Sequence, residues 1–276
     1  MLKALLPALG TRPLIMGVLN ATPDSFSARH PEPRAAIAAG LAMIEEGADL
    51  LDIGGESTRP GAEEVAAALE LARVLPVIEG LAGRVPISID TAKAAVAARA
   101  LDAGASIVND ISGGSFDPEM FPLVAARRAG YVLMHTRGRP AEMQRGEWTY
   151  EGGVVEAVAR HLETRLAAAA RAGIDPEAVA LDPGLGFGKT VEENCALVAG
   201  LERFSSLGRP LLVGPSNKSF LGALTGRAVG ERTIATMAAV ALAVGAGASI
   251  LRVHEVRAAR DAAAVAWACR RPRACD

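Results

Sequence analysis

Short apolar runs that stop at a polar residue recur along this chain, and each is followed by a loop and a helical stretch. The most informative is the segment 52–61, DIGGESTRPG, which follows one such run and is too polar and glycine-rich to be core. The other runs stop at Asn20, Asp90, Asn109, His135, Asp182, Gly214 and His254. Eight such units predict an α/β fold, a single (β/α)8 TIM barrel with its active site at the C-terminal ends of the strands.

Apolar runs and apolar stripes at helical spacing delimit the predicted elements. The predicted strands are Leu14–Leu19, Leu50–Ile53, Pro86–Ile89, Ile107–Asn109, Tyr131–Met134, Ala180–Asp182, Pro210–Gly214 and Ile250–Val253. The predicted helices are Arg34–Glu46, Glu63–Ala82, Lys93–Ala103, Pro118–Ala129, Gly153–Ala172, Val191–Leu201, Arg232–Gly245 and Val256–Ala268. Several helices are expected to end in a glycine cap, at Gly47, Gly104, Gly130, Gly173 and Gly245. This alternation implies a parallel sheet with right-handed crossovers, and eight units favour closure.

The length of 276 residues is close to the typical size of about 250 residues for one barrel. We therefore expect a single domain over 1–276, with a core over 14–268 and short extensions at both ends. The longest loops, 20–33 and 135–152, follow the first and fifth strands. Loops of this length in a compact domain are usually functional lids or disordered segments.

Composition excludes several classes of function. The formal net charge is −2 and no basic block breaks it, so nothing attracts the chain to nucleic acid or to an anionic membrane. No apolar run approaches the roughly 20 residues of a membrane span, and 1–12 lacks the pattern of a signal peptide. Cys195, Cys269 and Cys275 are scattered and lack metal-ligand spacing, which indicates reduced thiols. These features favour a soluble cytoplasmic protein of a single domain.

Three of the polar strand ends suit a flat heterocycle. Asp90 and Asp182 supply carboxylates and Asn109 supplies an amide, and in a barrel all three would converge on one mouth. An ionised aspartate accepts hydrogen bonds from an amino group and a ring N–H together, while asparagine both donates and accepts. Each residue alone could equally be a helix cap or a turn former. Three of them together at strand ends favour a ligand site.

The loop 182–190, DPGLGFGKT, is rich in glycine but lacks the spacing of a Walker P-loop. Its glycines let the backbone pass close to a ligand. We expect this loop to present Phe187 and Lys189 at the mouth of the barrel.

An anion site is predicted at the last two strands. The loop that begins at Gly214 turns into a helix, so its backbone N–H groups, with Lys218 and Ser219, would cradle an anion or a carboxylate. An ordinary exposed lysine is the alternative for Lys218. Arg252 and His254 lie on one face of the last strand. With Asn20 of the neighbouring first strand they would form a diphosphate site, because phosphate sites are common at this position of a barrel.

Eight motifs occur in the order typical of one family. They are MGVLNATPDSFS at 16–27, DIGGESTRPG at 52–61, SIDT at 88–91, VNDI at 108–111, LMH at 133–135, DPGLGFGKT at 182–190, SNKSFLG at 216–222 and RVH at 252–254. Together they resemble the motifs of the dihydropteroate synthase family, the folate-pathway enzymes that sulfonamides inhibit. The resemblance extends from about Leu14 to Trp267, nearly the whole chain.

The resemblance implies a reaction of 7,8-dihydropterin-6-ylmethyl diphosphate with p-aminobenzoate, which yields 7,8-dihydropteroate and pyrophosphate. It implies that three of the substrate-binding residues are also catalytic, namely Asp90, Asp182 and Lys218. The implied pterin site also contains Asn109, Ile111, Met134 and Arg252, with the Arg252 guanidinium stacked on the ring. Gly214 is a further implied substrate-binding residue.

The resemblance also implies how the remaining groups bind. Asn20, Arg252 and His254 are expected to hold the diphosphate, with Asn20 contacting Mg²⁺ as the cofactor. The p-aminobenzoate pocket is expected to be formed by Thr58, Arg59, Pro60, Phe187 and Ser219. Such enzymes are commonly homodimers, and the Ala-rich helices Arg232–Gly245 and Val256–Ala268 are candidate dimer faces.

Four departures from the family pattern bear on rate and on sulfonamide sensitivity. Asn217 stands where arginine is usual, Glu255 where aspartate is usual, and Arg139 where a small residue is commoner. The loop after the first strand reads ARHP at 28–31 in place of the usual Asp-Gly-Gly. The loss of a guanidinium at position 217 removes a fixed charge and a stacking plane.

These departures leave alternatives open. The chain could be a catalytically weak or sulfonamide-insensitive homologue, or a homologue that binds pterin without enzymatic activity. A corrinoid-linked methyltransferase could share the two aspartates and the asparagine of the pterin site. That enzyme would have no need of the motif 58–61, of Lys218 and Ser219, or of the Arg252 and His254 anion site.

Overall fold

The computed structural model describes residues 1–22, 33–59, 61–143 and 149–270. Its strands, in chain order, are β1 Leu14–Asn20, β2 Leu50–Gly54, β3 Ile87–Asp90, β4 Ile107–Asp110, β5 Gly130–Met134, β6 Val179–Asp182, β7 Leu212–Val213 and β8 Ile250–Val253. Its helices are α1 Leu2–Leu5, α2 Pro33–Glu45, α3 Ala67–Leu81, α4 Ala94–Asp102, α5 Met120–Arg127, α6 Val154–Arg171, α7 Val191–Ala199, α8 Leu201–Ser205, α9 Ser219–Thr225, α10 Thr233–Gly245 and α11 Val256–Arg270.

The eight strands form one parallel sheet that closes on itself. The strand order is β6-β5-β4-β3-β2-β1-β8-β7, so the first strand of the chain lies between the second and the eighth. The sheet ends meet where Leu181 of β6 bridges Leu211, and the Leu181 N–H donates to the Pro210 carbonyl at 2.9 Å. The predicted (β/α)8 barrel is therefore confirmed.

Apolar side chains fill the interior of the barrel at the end opposite the predicted mouth. Others pack between the strands and the helices. Within the barrel the core includes Leu14, Met16 and Leu50, each almost fully buried. Leu2 of α1 and Leu6 pack against this interior core, so the N-terminal segment closes the end of the barrel opposite the predicted mouth. Burial of each such side chain contributes roughly 1.5–3 kcal/mol to folding. This packing fixes the strand ends on which the mouth is built.

Most predicted boundaries differ from the structure by a few residues, and two differ for a clear reason. The seventh strand is only two residues long, because Pro210 has no N–H to donate and the chain turns at Gly214. The predicted helix Val191–Leu201 is two helices, α7 and α8, which meet at Gly200. Thr190 caps α7 reciprocally with Glu193, as a capping box.

The predicted glycine caps are partly right. Gly47, Gly104 and Gly173 follow their helices with φ of 100°, 117° and 94°, the left-handed region in which glycine is favoured. The prediction for Gly130 was wrong, since Gly130 begins β5 and the left-handed residue is Arg128. The prediction for Gly245 was wrong too, because it is the last residue of α10.

Among the helices of the described residues, none combines the length and the apolar character that crossing a membrane would require.

Candidate active site

The C-terminal ends of neighbouring strands bring the predicted polar residues to one mouth of the barrel. The strand register places Asn20 beside Gly54, Gly54 beside Asp90, and Asp90 beside Asn109. These residues therefore lie at one level of the barrel, although up to 89 positions separate them in the chain.

Two adjoining cavities open at this mouth. The outer cavity has a volume of about 430 Å³ and the inner cavity only about 20 Å³. Both cavities are lined by Thr58, Phe187, Gly214, Lys218 and Arg252. The outer cavity is also lined by the predicted residues Asn20, Arg59, Ser219 and His254. The inner cavity is also lined by the predicted residues Asp90, Asn109, Ile111, Met134 and Asp182.

Pro60 and the segment 23–32 lie outside the described residues. Every other residue of the predicted catalytic, substrate and metal sites lines at least one of the two cavities, whereas Lys189, expected at the mouth, lines neither. The sequence-based assignment of individual roles to these residues stays a prediction.

A buried network of charged groups holds Arg252 across the inner cavity. Its Nε donates to Asp52 Oδ2 and its Nη2 donates to Asp90 Oδ2, both at 2.6 Å. The second oxygen of each aspartate, Oδ1, is buried and accepts no hydrogen bond from the described residues. Burial raises the pKa of Asp90 to about 7, although the Arg252 guanidinium opposes that shift. The site thus balances one cation against two carboxylates in a dry environment.

Asp52 is a site residue that the strand-end argument did not single out. It is fully buried, and its Oδ2 also accepts a hydrogen bond from Asn109 Nδ2 at 2.9 Å. An ionised carboxylate can only accept, so this contact fixes the amide nitrogen of Asn109 toward Asp52. The amide oxygen of Asn109 is then the atom left for a ligand. The available signal was a carboxylate inside the apolar strand β2, between Leu51 and Ile53.

Asp182 supplies a second acceptor to the inner cavity. Its Oδ1 accepts the Gly184 N–H at 2.7 Å, which orients the carboxylate. Burial raises its pKa, and the backbone hydrogen bond and the nearby Lys218 oppose that shift. Together, Asp182 and the Asn109 oxygen present hydrogen-bond acceptors to any ring that enters.

An apolar wall and a lysine complete the inner cavity. Ile111, Met134, Phe187 and Met143 form one small apolar cluster at its side. The ammonium of Lys218 lies 4.2 Å from the centroid of the Phe187 ring, a cation–π contact. Burial and the nearby Arg252 lower the pKa of Lys218 to about 8. The arrangement combines flat apolar surfaces with a polar edge, as a heteroaromatic ligand requires.

The outer cavity carries cationic and amide groups. His254 Nδ1 lies 2.8 Å from Ser216 Oγ, and burial with the nearby Arg252 lowers the pKa of His254 to about 4. Its imidazole is therefore neutral at pH 7 in the absence of an anion. Asn20, Arg59 and Arg252 line the same cavity. These groups suit a ligand with a negative charge.

Two of the departures from the family pattern lie together at this cavity. Asn217 has φ of +57°, a left-handed conformation that asparagine adopts more readily than arginine. Its Nδ2 donates to Glu255 Oε1 at 3.4 Å, and Ser216 Oγ donates to Glu255 Oε2 at 3.3 Å. The side chain of Glu255 thus contacts both Ser216 and Asn217.

Arg139, the third departure, joins two loops at the mouth. Its guanidinium pairs with Glu64 Oε2 at 3.0 Å and lies 4.6 Å from the centroid of the Phe116 ring. Close by, the Gly61 N–H donates to the Pro140 carbonyl at 2.9 Å. These contacts tie the loop after β2, which carries Thr58 and Arg59, to the loop after β5. The fourth departure, 28–31, lies outside the described residues.

The predicted position of Lys189 at the mouth was wrong. Lys189 is only 6% exposed, and it lines neither cavity. Phe187 of the same loop does line both. A lysine at the end of a glycine-rich loop gives no sign in the sequence of which way the backbone turns its side chain.

No group of three or more histidine, cysteine, aspartate or glutamate side chains among the described residues could hold a metal ion. Asn20 is the predicted metal contact, and it lines the outer cavity with Arg252 and His254. A single amide oxygen suits Mg²⁺ that arrives with a phosphorylated ligand, because this ion keeps several waters and takes few protein ligands.

Comparison with known proteins identifies the family. Residues 16–254 match the family described as pterin binding enzyme. A dihydropteroate synthase from Mycobacterium leprae is 46% identical, over 92% of this chain and 93% of that protein. The Xanthomonas albilineans dihydropteroate synthase in complex with 7,8-dihydropteroate is 42% identical, with a TM-score of 0.82 over 94% of both chains. The Yersinia pestis enzyme in a sulfonamide drug complex is 39% identical, with a TM-score of 0.89 over 94% of this chain and 95% of that one. The chain therefore belongs to the dihydropteroate synthase family of folate synthesis.

Proposed function

We propose that this chain condenses 7,8-dihydropterin-6-ylmethyl diphosphate with p-aminobenzoate, giving 7,8-dihydropteroate and pyrophosphate. The observation that carries this proposal is the pairing of the two cavities. Hydrogen-bond acceptors line the narrow inner cavity, and cationic side chains line the wide outer cavity beside it. A ring whose edge carries N–H donors and whose substituent carries a diphosphate matches both cavities at once.

The inner cavity selects the pterin through the N–H donors that the pterin ring carries. The ring carries an exocyclic amino group and a ring N–H, which face the Asp182 carboxylate and the oriented Asn109 oxygen. Because the inner cavity measures only about 20 Å³, it must widen to admit a bicyclic ring. Lys218 and Arg252 have the long side chains that can move aside, and both line it. Arg252 then stacks on the ring face, and Lys218 donates to an acceptor of the ring.

The outer cavity favours departure of the diphosphate. Arg252 and His254 neutralise the charge that develops on the leaving group, a large term in a water-poor site. An anion beside His254 raises its pKa, so that the imidazole takes up a proton and donates to the phosphate. Asn20 would hold Mg²⁺, which supplies further neutralisation of the diphosphate charge.

Departure leaves a methylene cation conjugated with the electron-rich dihydropterin. Asp90 lies in the inner cavity and stabilises this positive charge with its carboxylate. An arylamine is a weak nucleophile, so attack on a cation suits it better than direct displacement. Water would trap the same cation, which is why the loops at the mouth must close over the substrates.

The p-aminobenzoate pocket lies at the outer cavity between Thr58, Arg59, Phe187 and Ser219. Phe187 supplies an aromatic face, and Arg59 and Ser219 supply donors for the carboxylate. The Yersinia pestis relative binds a sulfonamide drug. We expect sulfonamides to compete with p-aminobenzoate here too, with an affinity that depends on Asn217 because this residue lines the same cavity.

Release of pyrophosphate tests this function directly. The purified protein is mixed with the pterin diphosphate and Mg²⁺, with and without p-aminobenzoate, and a coupled enzyme reports pyrophosphate. Release that depends on p-aminobenzoate supports the proposal. Binding of the pterin without any such release would indicate a pterin-binding homologue without enzymatic activity.

Substitution of Lys218 by alanine should leave the fold intact and reduce kcat/KM by at least about 30-fold, or roughly 2 kcal/mol. Lys218 is half-buried at the mouth and not part of the core, but its charge lies where the pterin is held. Steady-state kinetics and thermal unfolding of both proteins measure the two effects. A kcat/KM within threefold of the parent would show that Lys218 takes no part in the site.

A homodimer is part of this proposal. Ile234 and Leu242 of α10 are 87% and 62% exposed, and Ala238 lies between them at the helical spacing of four residues. Val265 of α11, the helix packed beside α10, is 66% exposed. A stripe of this kind on a water-exposed helix marks an interaction surface, and a second copy of the chain is its occupant.

The double variant Ile234→Asp, Leu242→Asp should be monomeric, because burial of two carboxylates in an apolar interface is strongly unfavourable. Light scattering should give about twice the chain mass of 28.4 kDa for the parent and the mass of one chain for the variant. A parent that is monomeric, or a variant that stays dimeric, would rule out this face.

We place the enzyme in the cytoplasm, because its diphosphate substrate is a multiply charged molecule that does not cross a membrane unaided. With a net charge of −2 the chain is not suited to nucleic acid, and its partners are the small-molecule substrates.

A further inference from the structure

Lys189 is a buried lysine to which the proposed reaction assigns no role. It lies at the end of the loop 182–190 and is 6% exposed. Burial lowers its pKa to about 7, and the nearby Asp182 opposes that shift. A buried ammonium is retained only when its protons are matched by acceptors, because desolvation of the charge is otherwise too unfavourable.

Four uncharged acceptors surround the ammonium. Lys189 Nζ donates to the carbonyls of Gly184 at 2.8 Å, Phe187 at 3.2 Å and His135 at 3.4 Å. The fourth acceptor is His135 Nδ1 at 3.0 Å. Burial and the Lys189 charge lower the pKa of His135 to about 2, so its ring is neutral and can accept. The side chain thus lies among carbonyl dipoles as a bound metal cation would.

The loop around the ammonium has little conformational preference of its own. Gly184, Gly186 and Gly188 have φ of 70°, 82° and 65°. Glycine populates positive and negative φ about equally, so these residues do not by themselves favour this conformation. The approach at Gly184 is so close that a Cβ there would lie 2.0 Å from the His135 carbonyl oxygen. The shape of the loop therefore depends on groups that tie its carbonyls together, and Lys189 ties two of them.

The two residues whose carbonyls Lys189 ties also carry groups of the substrate site. The N–H of Gly184, in the peptide before the tied carbonyl, orients Asp182, the acceptor proposed for the pterin. The residue Phe187 supplies the ring that lines both cavities and contacts Lys218. A shift of the Gly184 or Phe187 backbone would move the Asp182 carboxylate or the Phe187 ring relative to the ligand.

We propose that Lys189 is a positioning residue whose ammonium organises the loop 182–190 from outside the two cavities. It thereby sets the affinity of the site for the pterin and for p-aminobenzoate. This inference rests on the proposed function, since it names what the loop holds. Lys189 touches neither substrate. Its effect is carried by the backbone of Gly184 and Phe187.

Lys189→Met is the direct test, because methionine keeps an unbranched apolar stem and cannot donate. We expect the KM of each substrate to rise at least about tenfold while kcat changes less than about threefold, the pattern of a loss in ground-state binding. Affinity for 7,8-dihydropteroate, measured by calorimetry without turnover, should fall by at least about tenfold. Lys3→Met, the same change at an exposed lysine of α1, is the matched control and should leave these values unchanged.

Chemical rescue separates a positioning cation from a simple filler of space. In Lys189→Ala, n-propylammonium replaces the missing atoms and should restore most of the lost kcat/KM in a saturable way. Propan-1-ol has the same size but no charge and should restore little. Equal rescue by the two compounds would overturn the proposal, as would KM values for Lys189→Met within threefold of the parent.

Failure of folding and failure of the proposed function give different results. If both variants remain unfolded even with propylammonium, the ammonium is a requirement for folding and the positioning role is overturned. If the parent releases no pyrophosphate, the proposed reaction is overturned. The loss of 7,8-dihydropteroate affinity in Lys189→Met would still be measurable, and its absence would overturn the inference.

Discussion

Replacement of Asp182 by asparagine should abolish measurable binding of the pterin. The carboxylate accepts from the Gly184 N–H. In the proposed function it also faces the two N–H donors of the pterin ring. An amide that keeps its oxygen on Gly184 must turn its NH2 group toward those donors, so donors would meet donors. Loss of two charge-assisted hydrogen bonds corresponds to roughly 3–6 kcal/mol, or at least a hundredfold in affinity.

Calorimetry with the pterin diphosphate measures this effect without turnover. Asp175→Asn is a suitable control, because Asp175 is exposed and its side chain accepts, among the described residues, only the Glu177 N–H. An asparagine side-chain oxygen can accept the same hydrogen bond. The control should bind like the parent. Unchanged affinity in Asp182→Asn, in a protein that unfolds at the same temperature as the parent, would remove Asp182 from the pterin site.

The barrel could be predicted because its signals are local. Most of the apolar runs stop at a polar residue, which marks where a strand ends, and β8 was predicted with the bounds that the structure shows. The errors occur where tertiary packing determines whether a helix forms and where it ends. The short α1 has no stripe of its own, and its order comes from packing of Leu2 on the barrel interior. The break at Gly200 depends on how α8 packs, which a periodic apolar pattern does not reveal.

The site could be predicted in part for the same reason. Asp90, Asn109 and Asp182 stand at strand ends, so the fold alone brings them together. The contact between Asp52 and Arg252 joins residues 200 positions apart, and the choice among nearby carboxylates is made by side-chain geometry. Lys189 was misplaced because its burial depends on the fold, which brings the Gly184 and Phe187 carbonyls and the distant His135 around its ammonium. That arrangement has no signal in the local sequence.

Replacement of Arg252 by methionine should have the largest effect on stability. The change leaves Asp52 and Asp90 buried without their cation, and removal of one partner from a buried ion pair typically destabilises by about 3–5 kcal/mol. Arg127→Met is the control, since Arg127 and its partner Asp102 are both exposed and their ion pair is screened by solvent. Urea unfolding of the three proteins gives the free energies of unfolding.

The destabilisation should also depend on pH, with a predictable sign. Burial raises the pKa of Asp90 from its ordinary 3.8 to about 7, and without Arg252 it rises further. At pH values between the pKa of the unfolded state and the raised pKa of the folded state, the folded state binds more protons than the unfolded state. Stability therefore falls as pH rises from about 4 to above 7. The difference between variant and parent should therefore be smaller at pH 5 than at pH 8. Asp90→Asn added to the variant should remove part of that pH dependence, because the group that titrates is gone. If the loss of unfolding free energy is the same at both pH values, Arg252 does not affect the titration of the buried carboxylates.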